Sequence, residues 1–358
     1  MKVLHLISPG GLAGAERVVL SGCAALERAG ASPTLGVILE AQALDRQRPF
    51  LERAEQLGLS VHLLTSHSPV DLGLAAQLDA LLRELDPELI HAHGYKALFY
   101  AHMTRSPHRR LVATHHGETA HDERARAYEA LAQTLYRSVD RVFAVSREGF
   151  TQLEGLGHVA LLENFVALRP LPRQIPPDDH PRLLFLGRLS PEKGPLELLE
   201  AFAQLPHRRA RLSVAGQGPL APALRRRVLE LGLQGRVDLL GFVSRVPELL
   251  ACHDALVMPS VREGMPMAAL EARAAGMPVL ATRVGALPEL IEDGVDGVLT
   301  ELPGLPGALT RLLRRLPELR EGAHERAAEI LAHYSPARWA EHTTRHYRQL
   351  LEPMEIYA

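Results

Sequence analysis

The chain has 358 residues, which is more than one ordinary hydrophobic core holds and predicts two domains of similar size. With 46% hydrophobic and 23% charged residues, it has the composition of a soluble globular protein, and its net charge of −2 excludes a general attraction to nucleic acid. Its apolar runs are too short to cross a bilayer, and the N-terminal residues MKVLHLISPGG lack the shape of a signal peptide.

Cysteine and histidine usage indicates the compartment and the metal content. Cys23 and Cys252 fall in different halves of the chain, which predicts free thiols in a cytoplasmic protein. Eighteen histidines are present, but none has a cysteine partner at zinc-site spacing. We therefore expect no metal site.

Short apolar segments alternate with amphipathic ones in both halves, which is typical of parallel sheets covered by helices. The first half contains predicted strands at 3–8, 35–39, 61–64, 89–93, 111–114 and 142–146. The second half contains predicted strands at 183–187, 212–215, 237–241, 256–258 and 279–281. This α/β pattern predicts two Rossmann-like, doubly wound domains.

A proline-rich segment separates the two patterns. Residues 169–182, RPLPRQIPPDDHPR, lack periodicity and are interpreted as a linker. We therefore expect a first domain at 1–168 and a second at 183–334. A final helix is expected within 335–358, because Ser335 is a good N-cap and Pro336 suits the first helical position.

The stretch 258–282, MPSVREGMPMAALEARAAGMPVLAT, reads as a strand end, a loop, a helix and a second strand. Pro266 suits the first turn of this helix, where its missing N–H costs nothing. The amides of Gly264, Met265 and Met267 are therefore expected at a helix N-terminus, where they could bind a phosphate.

Two glutamates accompany this predicted phosphate site. Glu263 lies in the loop and could reach a sugar beside the phosphate, while Glu271, within the helix, could accept hydrogen bonds from ribose hydroxyls. The spacing alone is weak evidence, since two solvated glutamates explain it equally well. Together with the PS before the loop, and the AG and PVLAT after the helix, the stretch resembles the donor-binding signature of family 4 retaining glycosyltransferases. That resemblance implies the GT-B architecture, two Rossmann-like domains facing a cleft with a C-terminal helix crossing back to the first domain.

The turn after strand 183–187, GRLSPEKG, carries Arg188 and Lys193. A guanidinium fork and an ammonium suit a diphosphate, although two solvated cations would be the ordinary interpretation. The segment resembles the family's donor-phosphate contacts. Two further segments are similar to those on the nucleotide side of the family's donor site: Gly216 with Gly218, and Phe242 with Val243.

In the first half, the turn PGGLAGAER follows the first strand. It could be a plain strand-to-helix turn, but it resembles the family's glycine loop, with Gly14 as the best match. His116, in THHG, matches the family histidine that contacts the transferred sugar. His93, in HAHG, is a weaker candidate for lining the acceptor side.

Other first-half positions complete the comparison. Ser146 and Asn164 match family positions, whereas Phe165 stands where the family usually has glycine. Residues 95–110, YKALFYAHMTRSPHRR, could touch an anionic membrane carrying a lipid-linked acceptor. We favour the alternative of a buried helix with a solvated basic end.

The resemblance implies a retaining glycosyltransferase that moves a sugar from a UDP- or GDP-sugar to a hydroxyl of a glycan, a lipid-linked acceptor or a small molecule. The implied setting is bacterial cell-surface polysaccharide, lipopolysaccharide or glycoconjugate synthesis, in the cytoplasm or at the inner face of the plasma membrane. His116, Glu263, Arg188 and Lys193 form the implied catalytic set, and no metal is expected because cations of the protein would neutralise the diphosphate. Three alternatives remain open: a GT-B sugar-nucleotide epimerase, a phosphorylase, and a catalytically silent binding subunit.

Overall fold

The computed structural model describes residues 1–68, 70–117, 123–167, 169–174 and 180–352. The chain divides into two compact units: unit 1 is Met1–Ala167 with Tyr334–Ala358, and unit 2 is Leu168–His333. The division lies one residue from the predicted end of the first domain. Residues 175–179 of the predicted linker and 353–358 of the predicted final helix lie outside the described residues.

Unit 1 is built on a seven-stranded parallel sheet. Its strands are β1 (Lys2–Ile7), β2 (Ser32–Glu40), β3 (Val61–Ser66), β4 (Leu89–His93), β5 (Arg110–His115), β6 (Arg141–Ala144) and β7 (Val159–Leu161). Their order across the sheet is β3-β2-β1-β4-β5-β6-β7. The winding direction therefore reverses between β1 and β4, the position where doubly wound sheets bind ligands.

Helices connect these strands and cover the sheet. They are α1 (Gly14–Arg28), α2 (Leu44–Gln56), α3 (Leu72–Leu85), α4 (Tyr95–Met103), α5 (Glu123–Tyr136) and α6 (Arg147–Leu153). The central strands are buried, as both faces of a parallel sheet require: every residue of β4 and all but the first of β1 are inaccessible.

Unit 2 repeats the design with a six-stranded parallel sheet in the order β10-β9-β8-β11-β12-β13. The strands are β8 (Arg182–Leu186), β9 (Arg211–Ala215), β10 (Val237–Gly241), β11 (Ala255–Met258), β12 (Val279–Thr282) and β13 (Gly297–Thr300). The helices are α7 (Pro195–Ala203), α8 (Ala221–Glu230), α9 (Val246–Ala251), α10 (Met267–Ala274), α11 (Leu287–Leu290), α12 (Leu305–Arg314) and α13 (Leu316–His333). Here the winding reverses between β8 and β11.

The final helix, α14 (Pro336–Leu351), belongs to unit 1 although it follows unit 2 in the chain. Ser335 caps it as predicted, its Oγ accepting a hydrogen bond from the Arg338 amide at 3.3 Å. Trp339 packs over Gly22 of α1, where a Cβ would lie 2.7 Å from the indole ring. This close approach seats α14 on the first unit.

Helix α4 shows how the basic segment 95–110 is used. Tyr100 is fully buried, which supports the favoured interpretation of this segment as a buried helix. Its basic end is accessible to solvent, as expected, and its arginines form surface ion pairs. Arg105 and Arg110 contact Asp140 at 3.4 and 3.1 Å, and Arg109 contacts Asp86 at 3.1 Å. Within the residues described, no helix is long and apolar enough to cross a membrane.

Candidate functional site

The predicted donor residues of unit 2 lie where the winding of its sheet reverses. Strands β8 and β11 are neighbours, so the loops that follow them leave the same edge side by side. The β8 loop contains Arg188 and Lys193, and the β11 loop contains Glu263. Residues far apart in sequence are thereby gathered at the usual ligand position of this fold.

Lys193 and Glu263 are in direct contact. The Lys193 Nζ donates a hydrogen bond to Glu263 Oε2 at 2.6 Å, and the Ser260 hydroxyl donates to Glu263 Oε1 at 2.7 Å. The Glu263 side chain is only 4% exposed, so its charge would be costly without these partners. Ser260 was not predicted as a site residue, although a serine three positions before a glutamate is a recognisable local pairing.

Arg188 differs from Lys193 in its surroundings. Its side chain is exposed and has no ion-pair partner among the described residues. The Lys193 ammonium, by contrast, is already balanced by Glu263. Arg188 is therefore the cation of the β8 loop whose charge no described residue compensates.

The two loops are also joined through Glu192, a residue that sequence reasoning missed. Its side chain accepts a hydrogen bond from the Ser190 hydroxyl at 2.5 Å, and its carbonyl accepts one from the Val261 amide at 2.8 Å. Gly194 allows Pro259 to approach, since a Cβ there would lie 2.2 Å from the proline carbonyl. These contacts hold the cationic loop against the acidic one.

Gly216 and Gly218, after β9, have a packing role. A Cβ on Gly216 would lie 1.8 Å from the Gly187 carbonyl oxygen, and one on Gly218 would lie 2.3 Å from that of Leu189. The Leu189 amide donates to the Gln217 carbonyl at 2.9 Å. Only glycine permits this backbone-to-backbone contact, which shapes the β8 loop.

Helix α10 begins one residue later than predicted. Pro266 is its N-cap, with φ −74° and ψ 119°, rather than a residue of its first turn, and Met267 is the first helical residue. Pro266 supplies no side-chain cap, so the positive end of the helix is not neutralised by its own N-cap. Gly264 and Met265 are buried just before the helix, and the Gly264 carbonyl accepts from the Ala286 amide at 2.9 Å.

The remaining donor candidates are placed as follows. Glu271 is on α10 and only 4% exposed. Phe242 follows β10 with its ring 52% exposed, beside the partly buried Val243, so an aromatic face is available there. In unit 1, Gly14 is the first residue of α1, which also lacks a side-chain cap.

His116 lies just past the end of β5 and is partly exposed. Desolvation of the ring by the surrounding protein nevertheless lowers the pKa of His116 to about 4, and His115 lowers it further by a smaller amount. The ring is therefore neutral at pH 7 and can both donate and accept a hydrogen bond. Its centroid lies 6.4 Å from that of His93, so the two predicted histidines share one region of unit 1.

His93 is 8% exposed and forms part of a chain of buried histidines. Its Nε2 pairs with His5 Nδ1 at 3.0 Å, and burial lowers the pKa of His5 to about 3. His91, between them in sequence, pairs with Tyr347 of α14 at 2.6 Å and with Thr114 at 2.7 Å. Burial holds the pKa values of His91 and His93 well below their usual range.

Ligand nitrogens of His5, His91 and His93 lie within 4.8 Å of one another, close enough to be considered as a metal site. Both nitrogens of His91 are, however, occupied by hydroxyl groups. His5 Nε2 and His93 Nδ1 have no hydrogen-bond partner in the described part of the chain, whereas metal-bound histidines normally donate their second N–H to another group. The geometry therefore favours a packed cluster of neutral imidazoles, in which His5 and His93 are hydrogen-bonded to each other and His91 to two hydroxyl groups.

Three further predicted positions have identifiable surroundings. The Ser146 hydroxyl accepts from the Gly149 amide at 3.1 Å and so caps α6. Asn164 is buried. Phe165, which replaces the usual glycine, is 1% exposed and packs on Trp339 with ring centroids 4.9 Å apart. Phe165 thus adds an aromatic contact between the end of Met1–Ala167 and α14.

Comparisons with known proteins agree with this architecture. Residues 12–168 match the family model described as Glycosyltransferase Family 4, and residues 171–330 match the model Glycosyl transferases group 1. The chain is 34% identical over 181 residues to alpha-D-kanosaminyltransferase of Streptomyces kanamyceticus, covering 48% of this chain and 47% of that protein. It is therefore aligned with only about half the length of that relative.

Two comparisons extend over nearly whole chains. The putative glycosyltransferase EpsD of Bacillus subtilis is 25% identical over 343 residues, covering 82% of this chain and 90% of EpsD. The crystal structure of Anabaena HepE in complex with UDP-glucose superposes with a TM-score of 0.82 and 23% identity, covering 98% of this chain and 100% of HepE. The chain therefore belongs to glycosyltransferase family 4 and has the GT-B fold, with two Rossmann-like domains and a C-terminal helix that returns to the first of them.

Proposed function

We propose that this protein is a retaining glycosyltransferase that transfers a sugar from a nucleoside-diphosphate sugar to an acceptor hydroxyl. The observation that carries the proposal is the Lys193–Glu263 contact beside the N-terminus of α10, at the winding reversal of the unit 2 sheet. A cation, a carboxylate and helix amides in one place offer partners to the phosphates and to the sugar hydroxyls of such a donor. HepE, which shares the fold, was solved with UDP-glucose bound.

The departing diphosphate would be stabilised by protein charges. Arg188, the uncompensated cation, would form a fork on the phosphates, and the first-turn amides of α10 would add a positive field. Lys193 would contribute a point charge while holding Glu263 in position. The chemistry then needs no metal, and we propose none.

The other proposed contacts follow the resemblance to the family. Glu263 and His116 would orient the transferred sugar, and Glu271 would accept hydrogen bonds from the ribose. The base would lie by Phe242 and Val243, and the loops that contain Gly14, Gly216 and Gly218 would border the donor. A neutral His116 suits a sugar hydroxyl, because it can both donate and accept a hydrogen bond.

The donor is proposed to be a UDP- or GDP-sugar and the acceptor a hydroxyl of a glycan, a lipid-linked molecule or a small molecule. Bacterial cell-surface polysaccharide or glycoconjugate synthesis is the proposed setting. For residues 95–110 we favour a buried helix over a peripheral membrane contact, because three of its arginines are engaged in ion pairs with the protein's own carboxylates.

Nucleotide release from a panel of UDP- and GDP-sugars, with and without EDTA, tests the proposal. We expect one donor to be used in EDTA, and Arg188→Ala to lower kcat/KM by about a hundredfold, the scale of losing one charged transition-state contact. Arg225→Ala, an exposed arginine on α8, is the matched control and should retain activity.

Three other outcomes would redirect the assignment. Donor consumption without acceptor would indicate an epimerase, and a requirement for free phosphate would indicate a phosphorylase. Nucleotide binding without turnover would indicate a silent subunit.

A further inference from the structure

A cluster of polar side chains lies near the point where the winding of the unit 1 sheet reverses, between β1 and β4. These side chains are not part of the proposed donor site. Ser8 follows β1, Glu40 ends β2, Ser66 ends β3, and Lys96 lies in the first turn of α4, directly after β4. All four are therefore at the carboxyl edge of the sheet, where doubly wound folds bind ligands.

Lys96 and Glu40 form the centre of this cluster. The Lys96 ammonium donates to Glu40 Oε1 at 3.1 Å and to the Ser66 hydroxyl at 3.0 Å. The Ser8 hydroxyl donates to the same Glu40 oxygen at a longer 3.4 Å. Glu40 Oε2 takes part in no hydrogen bond or ion pair with the part of the chain that is described.

The side chains of Glu40 and Lys96 differ in their exposure to solvent. The Glu40 side chain is 28% exposed, whereas that of Lys96 is only 11% exposed. An incoming molecule therefore meets the carboxylate before the ammonium, which already donates hydrogen bonds to two oxygens of the protein. A carboxylate oxygen accepts hydrogen bonds from hydroxyl groups and repels anions, while the nearby ammonium disfavours a cationic ligand.

A buried amide fixes the backbone from which Glu40 projects. Gln47 of α2 is 1% exposed, and its Oε1 accepts from the Glu40 amide at 3.0 Å. Its Nε2 donates to the carbonyls of Pro9 at 2.9 Å and Ile38 at 3.2 Å. One side chain thus fixes both Glu40 and the start of the loop that follows β1, as a pre-organised binding site requires.

We propose that the Glu40–Lys96 pair recognises the acceptor and selects an uncharged polyol, such as a sugar or cyclitol, over its phosphorylated or carboxylated counterpart. Glu40 Oε2 accepts hydrogen bonds from acceptor hydroxyls, and Lys96 holds the carboxylate in place. This inference rests on the proposed glycosyl transfer, since it names the acceptor class for that reaction.

Acceptor preference is measured first by ligand-observed NMR on the full chain with UDP present, using glucose and myo-inositol against glucose 6-phosphate and inositol 1-phosphate. We expect the uncharged polyols to bind more tightly. Glu40→Gln should weaken their binding about tenfold, the scale of one hydrogen bond to a charged group, and should improve binding of the phosphates. Tighter binding of the phosphates by the unaltered protein would overturn the proposal.

Transfer assays provide the second measurement. Glu40→Gln and Lys96→Met should raise the acceptor KM about tenfold and leave the donor KM within about twofold, a split that general unfolding would not produce. Arg28→Gln, an exposed cation in the last turn of α1, is the charge control and should change neither KM. An unchanged acceptor KM in both variants would contradict the inference. Because the NMR comparison needs no turnover, failure of transfer would count against the proposed function and not against polyol recognition.

Discussion

Acidification should destabilise unit 1 through its buried histidines. His5, His91, His93 and His116 all have pKa values lowered by burial, to about 3 for His5 and about 4 for His116. In the unfolded chain each would titrate near its ordinary value of about 6.5. Between these values the unfolded state binds more protons, so stability is fully present above pH 6.5 and falls as the pH is lowered.

The magnitude follows from these pKa values. At pH 5.5, one unit below the unfolded value, each neutral histidine costs about 1.4 kcal/mol of stability. Four acting independently would remove about 6 kcal/mol, which is comparable with the whole stability of many domains. Mutual interactions within the cluster make the sum an upper bound.

The assay uses the only tryptophan of the chain, Trp339, which belongs to unit 1 and packs on Phe165. Urea unfolding followed by its fluorescence should show a midpoint that falls markedly from pH 7.5 to pH 5.5. His5→Asn should reduce this pH dependence, because it removes one of the four proton-binding groups. His108→Asn, at an exposed surface position, is the control and should leave it unchanged. Equal midpoints at the two pH values would refute the reasoning.

Three other predictions concern packing and charge. Gly22→Ala should destabilise unit 1 by about 1–3 kcal/mol, the usual cost of overpacking, because its Cβ would lie 2.7 Å from Trp339. Gly155→Ala is the control, since its Cβ would have no neighbour within 4 Å, and it should unfold at the temperature of the unaltered protein. Gly216→Ala should weaken nucleotide affinity, measured by calorimetry, because its Cβ would displace the β8 loop. Gly235→Ala, whose Cβ would point into open space, should bind nucleotide as the unaltered protein does. Equal affinities of the two variants would show that the β8 loop does not contribute to nucleotide binding. Lys193→Met should destabilise unit 2 as well as lower activity, because it leaves one oxygen of the buried Glu263 carboxylate without its partner, at a cost of about 1–3 kcal/mol. A variant with an unchanged melting temperature would show that Glu263 does not depend on Lys193.

Much of the fold could be predicted because local patterns and the sheet architecture agree. The alternation of apolar strands and amphipathic helices predicted the parallel sheets of both units, and Ser335-Pro336 predicted the start of α14. The edge strands β7 and β13 were not predicted. Strand β7 has only three residues, and β13 begins with a glycine, which strands disfavour.

The site was less accessible to sequence reasoning because its contacts join distant segments. Spacing could nominate Lys193 and Glu263 separately, but their 2.6 Å contact exists only because β8 and β11 are neighbours in the sheet. The same holds for Lys96 and Glu40, which are 56 positions apart. Pro266 was placed one position too far inside α10, within the ordinary uncertainty of helix ends.

The central claim is that unit 2 binds a nucleoside diphosphate without metal. A thermal-shift panel of UDP, GDP, ADP and CMP with their sugar conjugates, with and without EDTA, tests it most directly. Ligand at a hundredfold excess over Kd adds about 2.7 kcal/mol of stability, which is readily seen as a shift in Tm. The account predicts a clear shift with UDP or GDP that survives EDTA and is lost in Arg188→Ala. No shift with any nucleotide, or a shift that EDTA abolishes, would contradict it.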